Sequence, residues 1–191
     1  MKPVIRTLMA GAALLALSLS AQDKPKASPA AKPEKFKVSV QTFVKPAKWA
    51  TQKTASRMRA AQFGVPGAKG QEAAECVFFY FGPGAGGGAQ ANLQRWAKQF
   101  AAEPKPKFKV EEAKIADTPV AYLFGEGTFM KGPPFGGAKV PKKDYGMAAA
   151  VLGTQPGYIF VKMTGPKAVV EAAKVDFKKM IEAALKAKPK K

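Results

Sequence analysis

A glycine-rich loop is the feature of the sequence that could most directly carry chemistry. It follows an apolar run, VFFYF, and precedes a helical pattern, and Gly82, Gly84 and Gly87 satisfy the pattern G-x-G-x-x-G. In dinucleotide-binding proteins this spacing lets the backbone approach a pyrophosphate at the start of a helix. Glu111 or Glu112 follows at the distance of the acidic residue that binds the ribose in such sites. The loop therefore raises the hypothesis of a dinucleotide or phosphate site.

Three observations argue against a nucleotide site. The dinucleotide motif belongs to a parallel βαβ unit, whereas the later strand patterns of this sequence are joined by short turns that favour antiparallel hairpins. The N-terminus has the pattern of an export signal, and export would separate the protein from the nicotinamide pool. A phosphate loop of the Walker type requires a lysine and a hydroxyl residue, but Ala89-Gln90-Ala91 follow the glycines. We therefore expect no cofactor.

The glycines have two remaining interpretations. A chain that reverses from a strand into a helix needs backbone conformations that glycine adopts easily, and this structural interpretation is favoured. Alternatively, the bare backbone N–H groups of residues 84–88, just before a helix, hold an anion. The loop Gly82–Gly88 is therefore also a candidate site for a small anionic ligand.

Catalytic groups are scarce elsewhere in the sequence. The chain has no histidine, which removes the commonest general base and the commonest transition-metal ligand. The single cysteine, Cys76, lies in an apolar strand pattern, where a thiol usually behaves as a small hydrophobic group. Glu111 and Glu112 are adjacent on a predicted strand, so they point to opposite faces and cannot form an acid–base pair. We therefore expect no catalytic residues and no metal site, and we predict that the protein is not an enzyme.

The N-terminal residues have the layout of a secretory signal peptide. Lys2 and Arg6 precede an apolar run, and Ser18 and Ser20 put small side chains before a cut after residue 20. The run is shorter than the roughly 20 residues that span a bilayer. We predict four segments: a signal peptide (1–20), a flexible linker rich in Lys, Pro and Ala (21–35), a single domain (36–186) and a basic tail (187–191). The mature chain, without a transmembrane segment, is expected in the periplasm or outside a bacterial cell.

The sequence is strongly basic. Its formal net charge is +19, and removing Lys2 and Arg6 with the signal peptide leaves +17. Such a charge can attract the protein to a membrane surface of anionic lipid or to an anionic cell-envelope polymer. Many lysines, however, lie in the two ends of the chain, residues 22–35 and 185–191, which have the composition of flexible tails. Solubility is the favoured interpretation, electrostatic binding of lipid or polymer is the alternative, and nucleic acid is not an expected partner.

The hydrophobic patterns predict the elements that would hold these residues. Strand patterns cover residues 36–43, 57–63, 75–81, 108–116, 120–130, 145–154 and 157–165, and helical patterns cover 89–101 and the segment after Gly165. Residues 131–144 are too rich in Gly and Pro for regular structure. Short turns indicate antiparallel hairpins, and strands that are apolar on both sides need cover on both faces. The sequence thus predicts an α+β fold with a central, mainly antiparallel sheet sandwiched by helices.

Two resemblances support this architecture. The motif P-x-x-W, here Pro46-Ala47-Lys48-Trp49, after a short first strand resembles the opening of PsbP-like proteins. The final strand and a helix with Phe177, Met180 and Ile181 are similar to the end of that fold. The resemblance implies an antiparallel sheet between helices.

The stretches RMRAAQF, FYFGPGAGGG and NLQRWAKQF resemble a family of uncharacterised exported proteins from planctomycete-type and related bacteria. This resemblance spans most of residues 49–177 and implies an architecture and an exported location, without an activity. If that family shares a site, Arg59, Asn92, Arg95 and Trp96 are the positions expected in it. With the loop glycines, the candidate anion or ligand site comprises Arg59, Gly84, Gly86, Gly87, Asn92, Arg95 and Trp96.

The sequence supports one leading hypothesis of function and two alternatives. The leading hypothesis is a non-catalytic exported domain that binds or scaffolds a partner outside the cytoplasm. The first alternative is an electrostatic binder of anionic lipid or cell-envelope polymer. The second is a small anionic-ligand site at the loop Gly82–Gly88.

Overall fold

The computed structural model describes residues 33–187, except residue 55 and residues 134 and 135. The predicted signal peptide, most of the predicted linker and most of the predicted basic tail lie outside the described residues. The first strand begins at Lys35, the last residue of the predicted linker, and the last helix ends at Lys186. Neither helix in the described part is long and apolar enough to cross a membrane.

The described residues form nine strands and two helices, in the order β1 (Lys35–Val38), β2 (Gln41–Val44), β3 (Ala50–Thr51), β4 (Arg59–Val65), β5 (Ala74–Tyr80), α1 (Ala89–Ala97), β6 (Lys107–Ile115), β7 (Thr118–Lys131), β8 (Val140–Leu152), β9 (Ile159–Pro166) and α2 (Lys167–Lys186). β1 and β2 form a separate hairpin, and the other seven strands form one sheet in the order β3-β4-β5-β9-β8-β7-β6. Every strand pair of these described elements is antiparallel. The predicted α+β fold with a mainly antiparallel sheet is confirmed.

The central strands are buried on both faces of the sheet. Successive residues of β8, over residues 147–152, belong alternately to two separate hydrophobic cores, because neighbouring side chains of a strand point to opposite faces. The first core is covered by α2 and by the β1–β2 hairpin, through side chains such as Phe177 and Phe43. The second core is covered by α1, through Leu93 and Trp96.

The two helices cover their faces to different extents. α2 has 20 residues and contacts β2, β6, β8 and β9, whereas α1 has 9 residues and contacts β7 and β8. At 1.5 Å per residue, the helices are roughly 30 Å and 13 Å long. α1 therefore packs mainly on the β7–β8 side of its face, and the β5–β9 part of that face borders a pocket.

The prediction of one strand over residues 36–43 is wrong, because the chain turns at Ser39 and Val40 and forms the β1–β2 hairpin. In a single strand, Phe36 and Phe43 would point to opposite faces, since they are seven residues apart. In the hairpin they are cross-strand partners, and their stacked rings have centroids 5.4 Å apart. The pairing of the two rings against the core explains why the apparently continuous strand pattern folds back.

Two other predicted boundaries are corrected. Residues 131–144 were expected to lack regular structure, but β7 continues to Lys131 and β8 begins at Val140, and these two residues pair with each other. The first helix ends at Ala97 and not at residue 101. Phe100 lies beyond the helix end but still belongs to the second core.

Candidate functional site

A pocket of about 650 Å³ lies between α1, the glycine loop (residues Gly82–Gly88) and the β5–β9 part of the sheet. We call it the glycine-loop pocket. It is lined by Met58, Phe79, Phe81, Gly86, Gly87, Asn92, Arg95, Trp96, Lys98, Gln99, Lys139, Phe160 and Lys162. Its volume lies within the range of roughly 300–1,000 Å³ that is common for small-molecule sites.

The register of β5 against β9 places the floor of this pocket. Val77 pairs with Lys162, and Phe79 pairs with Phe160 two residues further along. Directly opposite residues of an antiparallel pair share one face of the sheet. The floor therefore carries an aromatic pair next to a lysine, and Val77 beside that lysine is buried.

Aromatic rings form one wall of the pocket. The ring centroid of Phe81 lies 6.1 Å from that of Phe79 and 5.7 Å from that of Phe160. Gly86 of the loop passes so close to these rings that a Cβ atom there would lie 2.7 Å from Phe160 and 2.8 Å from Phe81. Gly86 also has a φ of 85°, a left-handed conformation that favours glycine. The loop glycine therefore lets the backbone lie against the aromatic wall.

Asn92 fixes the glycine loop on the helix. Its side-chain amide donates to the carbonyl oxygens of Gly86, Gly87 and Gly88 at 2.9, 3.3 and 2.9 Å. Its Oδ1 accepts a hydrogen bond from Arg95. The Asn92 side chain is buried, and these bonds satisfy both ends of its amide. Asn92 thus positions the loop and the Arg95 guanidinium, and its own polar atoms are engaged within the protein.

The polar lining of the pocket is cationic. It includes Arg95, Lys98, Lys139 and Lys162, and among the described residues no carboxylate lies within 4.0 Å of any of these four groups. Lys162 donates to the amide oxygen of Gln99 at 3.0 Å. The lining residues that the structure describes include neither Asp nor Glu. A positive potential with apolar walls is therefore the main electrostatic property of this pocket.

Burial lowers the pKa of the Lys162 amine to about 8, because loss of contact with water disfavours its charged form. The Glu75 carboxylate, on β5, acts in the opposite direction and favours the charge. The positive charges of Arg59, on β4, and of Arg95, on α1, lower the pKa further. Lys162 is therefore a lysine whose charge is unusually easy to remove near neutral pH.

Arg59 lies beside the pocket and belongs to a separate polar network. Its guanidinium forms an ion pair with Glu75 at 2.9 Å and donates to Gln62 Oε1 at 2.8 Å. Gln62 is buried and donates in turn to Glu75 at 2.9 Å and to Gln52 at 3.1 Å. The network satisfies the polar groups of an otherwise apolar sheet face. Arg59 therefore influences Lys162 through its charge and does not line the pocket.

The fold brings most of the sequence-predicted site residues together. Gly86, Gly87, Asn92, Arg95 and Trp96 all line the glycine-loop pocket, whereas Gly84 and Arg59 are not part of the lining. Gly84 does not line the pocket because it lies in the outer part of the loop, where a Cβ atom would have no neighbour within 4 Å.

Sequence reasoning missed Lys162, Lys98 and Lys139. Lys162 had a detectable signal, because it is the one charged residue within the strand pattern GYIFVKMTG. A lysine in a strand that is apolar on both faces must either meet a partner or border a cavity. Lys139 had no such signal, since it follows the glycine- and proline-rich segment between β7 and β8.

The structure also bears on the rejected nucleotide interpretation. Both neighbours of β5, namely β4 and β9, run antiparallel to it, so the parallel βαβ unit of dinucleotide-binding proteins is not the context of this loop.

Among the described residues, no three His, Cys, Asp or Glu side chains are grouped as they would be around a metal ion.

Comparisons with known proteins bear on the fold. Neither a protein-family model nor a curated protein matches the sequence. Among solved structures, the chain is similar to cyanobacterial PsbP (CyanoP) from Synechocystis sp. PCC 6803, with a TM-score of 0.50 and 11% sequence identity, covering 85% of this chain and 96% of that one. It is also similar to PA94 from Pseudomonas aeruginosa, a protein of unknown function, with a TM-score of 0.46, 14% identity and coverage of 83% and 98%.

The likeness to CyanoP supports the predicted PsbP-like fold. At 11% identity it shows the fold alone. The relationship to exported proteins of planctomycete-type bacteria stays a prediction.

The role of Asn92 in holding the glycine loop can be tested by measuring the stability of a variant. Asn92→Ala removes three hydrogen bonds to loop carbonyls, so we expect the free energy of unfolding to fall by about 2–4 kcal/mol. Urea denaturation measures this change. Gln94→Ala, at an exposed position of the same helix, is the matched control and should change the free energy by less than about 0.5 kcal/mol. Equal effects of the two substitutions would show that the amide does not hold the loop.

The lowered pKa of Lys162 predicts a pH dependence of stability. Below about pH 8 the amine is charged in both the folded and the unfolded chain, so the cost of burying the charge is fully present. Above the ordinary value of 10.5 it is neutral in both states, and the cost is absent. The wild-type protein should therefore gain stability relative to Lys162→Gln as the pH rises from about 8 to about 10.

Urea denaturation of both proteins at about pH 7 and about pH 9.5 measures this difference. Lys179→Gln on α2 is the charge-matched control, and the stability of wild type relative to this variant should not show the same rise. A constant difference between wild type and Lys162→Gln over this range contradicts the assignment of a lowered pKa.

Proposed function

We propose that this protein is a non-catalytic binding domain that acts outside the cytoplasm, and that the glycine-loop pocket holds a small organic anion. One observation carries the proposal for the site. Four cationic side chains, Arg95, Lys98, Lys139 and Lys162, border a pocket of about 650 Å³ and have no carboxylate partner within 4.0 Å among the described residues. An anionic ligand would supply the missing negative charge.

Binding is better supported than turnover by the composition of the lining. The Lys162 amine could act as a base or a nucleophile, but the described lining residues offer no carboxylate, hydroxyl, thiol or imidazole group beside it. General acid–base catalysis commonly uses groups of these kinds, placed within hydrogen-bond reach of the proton that is transferred. The side chains of the pocket instead provide charge, amide groups and apolar surface, which are the means of recognition.

A discrete pocket is also better supported than a broad surface for an anionic polymer. On the opposite face, lysines alternate with carboxylates: Lys178 lies 3.0 Å from Glu111, and Lys174 lies 2.7 Å from Glu171. Such pairs reduce the net positive potential of a surface. Binding of anionic lipid or cell-envelope polymer remains the competing function, and salt dependence separates the two.

The pocket proposal predicts a localised response to organic anions. Benzoate and citrate are titrated into the protein with two-dimensional NMR as the readout, and we expect the largest shifts at Gly86, Gly87 and Lys162. Arg95→Gln and Lys162→Gln should each weaken binding by about tenfold or more, because each removes a charge-assisted hydrogen bond. Lys179→Gln, on the opposite helix, should leave the affinity unchanged.

Two results would count against the pocket. Shifts that are spread over the lysines of both faces, with an affinity that collapses in moderate salt, would favour a polyanion surface. The absence of any shift at the loop with either anion would remove the proposed site. In both cases the Lys179→Gln control shows whether loss of one surface charge is enough to change binding.

The proposed location rests on the signal-peptide pattern of residues 1–20 and has its own test. The full chain, produced in a Gram-negative host, should appear in the periplasm with Ala21 as its N-terminal residue. The double substitution Leu14→Arg, Leu15→Arg should keep it uncleaved in the cytoplasm, whereas Ala12→Leu preserves the apolar run and should not. N-terminal sequencing of the fractionated protein gives the answer, and a full-length cytoplasmic wild type would refute export.

A further inference from the structure

Resting on the proposed anion site, we propose that the ligand of the glycine-loop pocket is a single-chain amphipathic carboxylate, of the fatty-acid type. Its carboxylate would lie at Lys162 and Arg95, and its apolar tail would lie along the accessible rings of Phe79 and Phe81, beside the buried ring of Phe160. Two independent properties of the pocket carry this inference, namely its size relative to an anionic group and the order of its side chains along the strands.

The pocket is much larger than a simple anion requires. A water molecule takes about 30 Å³ of liquid volume, so a cavity of about 650 Å³ has room for a ligand many times the size of a carboxylate or phosphate group. The cationic groups can neutralise one or two negative charges, and the remaining volume must be filled by the uncharged part of the ligand. The walls available to that part are predominantly apolar.

The side chains are ordered from charged to apolar along the strands. Lys162 and Phe160 lie two residues apart on β9 and face the same side, and Phe79 stands opposite Phe160 on β5. Phe81 follows two residues after Phe79, just beyond the end of the strand. Each two-residue step is roughly 7 Å. The pocket thus offers an extended ligand a charged end and an apolar track of two steps.

Exposed apolar side chains at the pocket mark where the tail would lie. Phe81 is 38% exposed and Met58 is 48% exposed, and both are lining residues. Met58 is an unbranched, adaptable side chain that suits contact with a flexible chain. A polar anion such as citrate would leave these surfaces in water, whereas an alkyl tail would bury them and gain the hydrophobic contribution.

The test compares decanoate with anions and amphiphiles that each lack one of its two properties. Titration calorimetry of the full mature chain, below the concentration at which the probes form micelles, should give a measurable affinity for decanoate. Hexanoate should bind more weakly, by up to roughly fourfold for each methylene that the pocket no longer buries. Acetate and inorganic phosphate should bind much more weakly still, and so should decyltrimethylammonium, which has the tail but the opposite charge.

Matched variants separate the head from the tail. Phe81→Ser, at an exposed position, should weaken decanoate binding by about tenfold and leave acetate binding unchanged. Lys162→Gln should weaken both, and Lys162→Arg should retain decanoate binding. Val175→Ser, on α2 at a position that is 59% exposed, is the control for loss of an exposed apolar side chain and should have no effect.

The outcomes distinguish failure of the inference from failure of the proposed site. If acetate or phosphate binds at the pocket as well as decanoate does, the anion site stands and the amphipathic ligand is refuted. If decyltrimethylammonium binds as well as decanoate, the pocket does not select the carboxylate, and the inference also fails. If the protein binds anionic phospholipid vesicles but not free decanoate, the partner is a membrane surface and the inferred single-chain ligand is refuted. If no anion of any kind binds at the loop, the proposed function itself is wrong.

Discussion

The structure depends on one constraint, which is that the central strands of its sheet are apolar on both faces. Residues of β8 and β9 enter two separate cores, and each face must be shielded from water because unshielded apolar surface opposes folding. The 20-residue α2 and the β1–β2 hairpin shield one face. The other face has a helix of only 9 residues, α1. The glycine loop completes part of the remaining cover, and the glycine-loop pocket lies where this cover is incomplete.

The same constraint explains why the polar groups of this face are so closely organised. Gln62 and Glu75 lie on strands whose neighbours are apolar, and their polar atoms are satisfied by Arg59 and by each other. The loop carbonyls are satisfied by the Asn92 amide. In both arrangements the polar side chains form hydrogen bonds within the protein, because a buried polar group without a partner lowers stability. The remaining polar side chains at the pocket are mainly cationic, and among the described residues the neutral Gln99 amide is the hydrogen-bond acceptor of Lys162.

The predictability of the fold and of the site from sequence differed for physical reasons. Hairpins between β6 and β7 and between β8 and β9 were predictable, because short turns joined segments with strand patterns. The β1–β2 hairpin was not, since its turn at Ser39 and Val40 has neither glycine nor proline. The loop was recognisable from its glycines. Lys162 had a signal in its strand pattern, but only the pairing of β5 with β9 places it on the same part of the sheet as Phe79 of β5.

The chain is similar to cyanobacterial PsbP in its sheet and helices, with a TM-score of 0.50. The proposed site depends instead on individual side chains, which lie on the part of one sheet face that the short helix α1 does not cover. The central property of this site is that the charge of Lys162 is coupled to the binding of an anion. The pocket penalises the charged form of Lys162 and lowers its pKa to about 8, and a bound carboxylate would favour that charged form. Proton binding at Lys162 and anion binding in the pocket are therefore linked, and each must strengthen the other by the same free energy. A lysine that is easily neutralised thus makes the pocket most receptive to an anion below about pH 8.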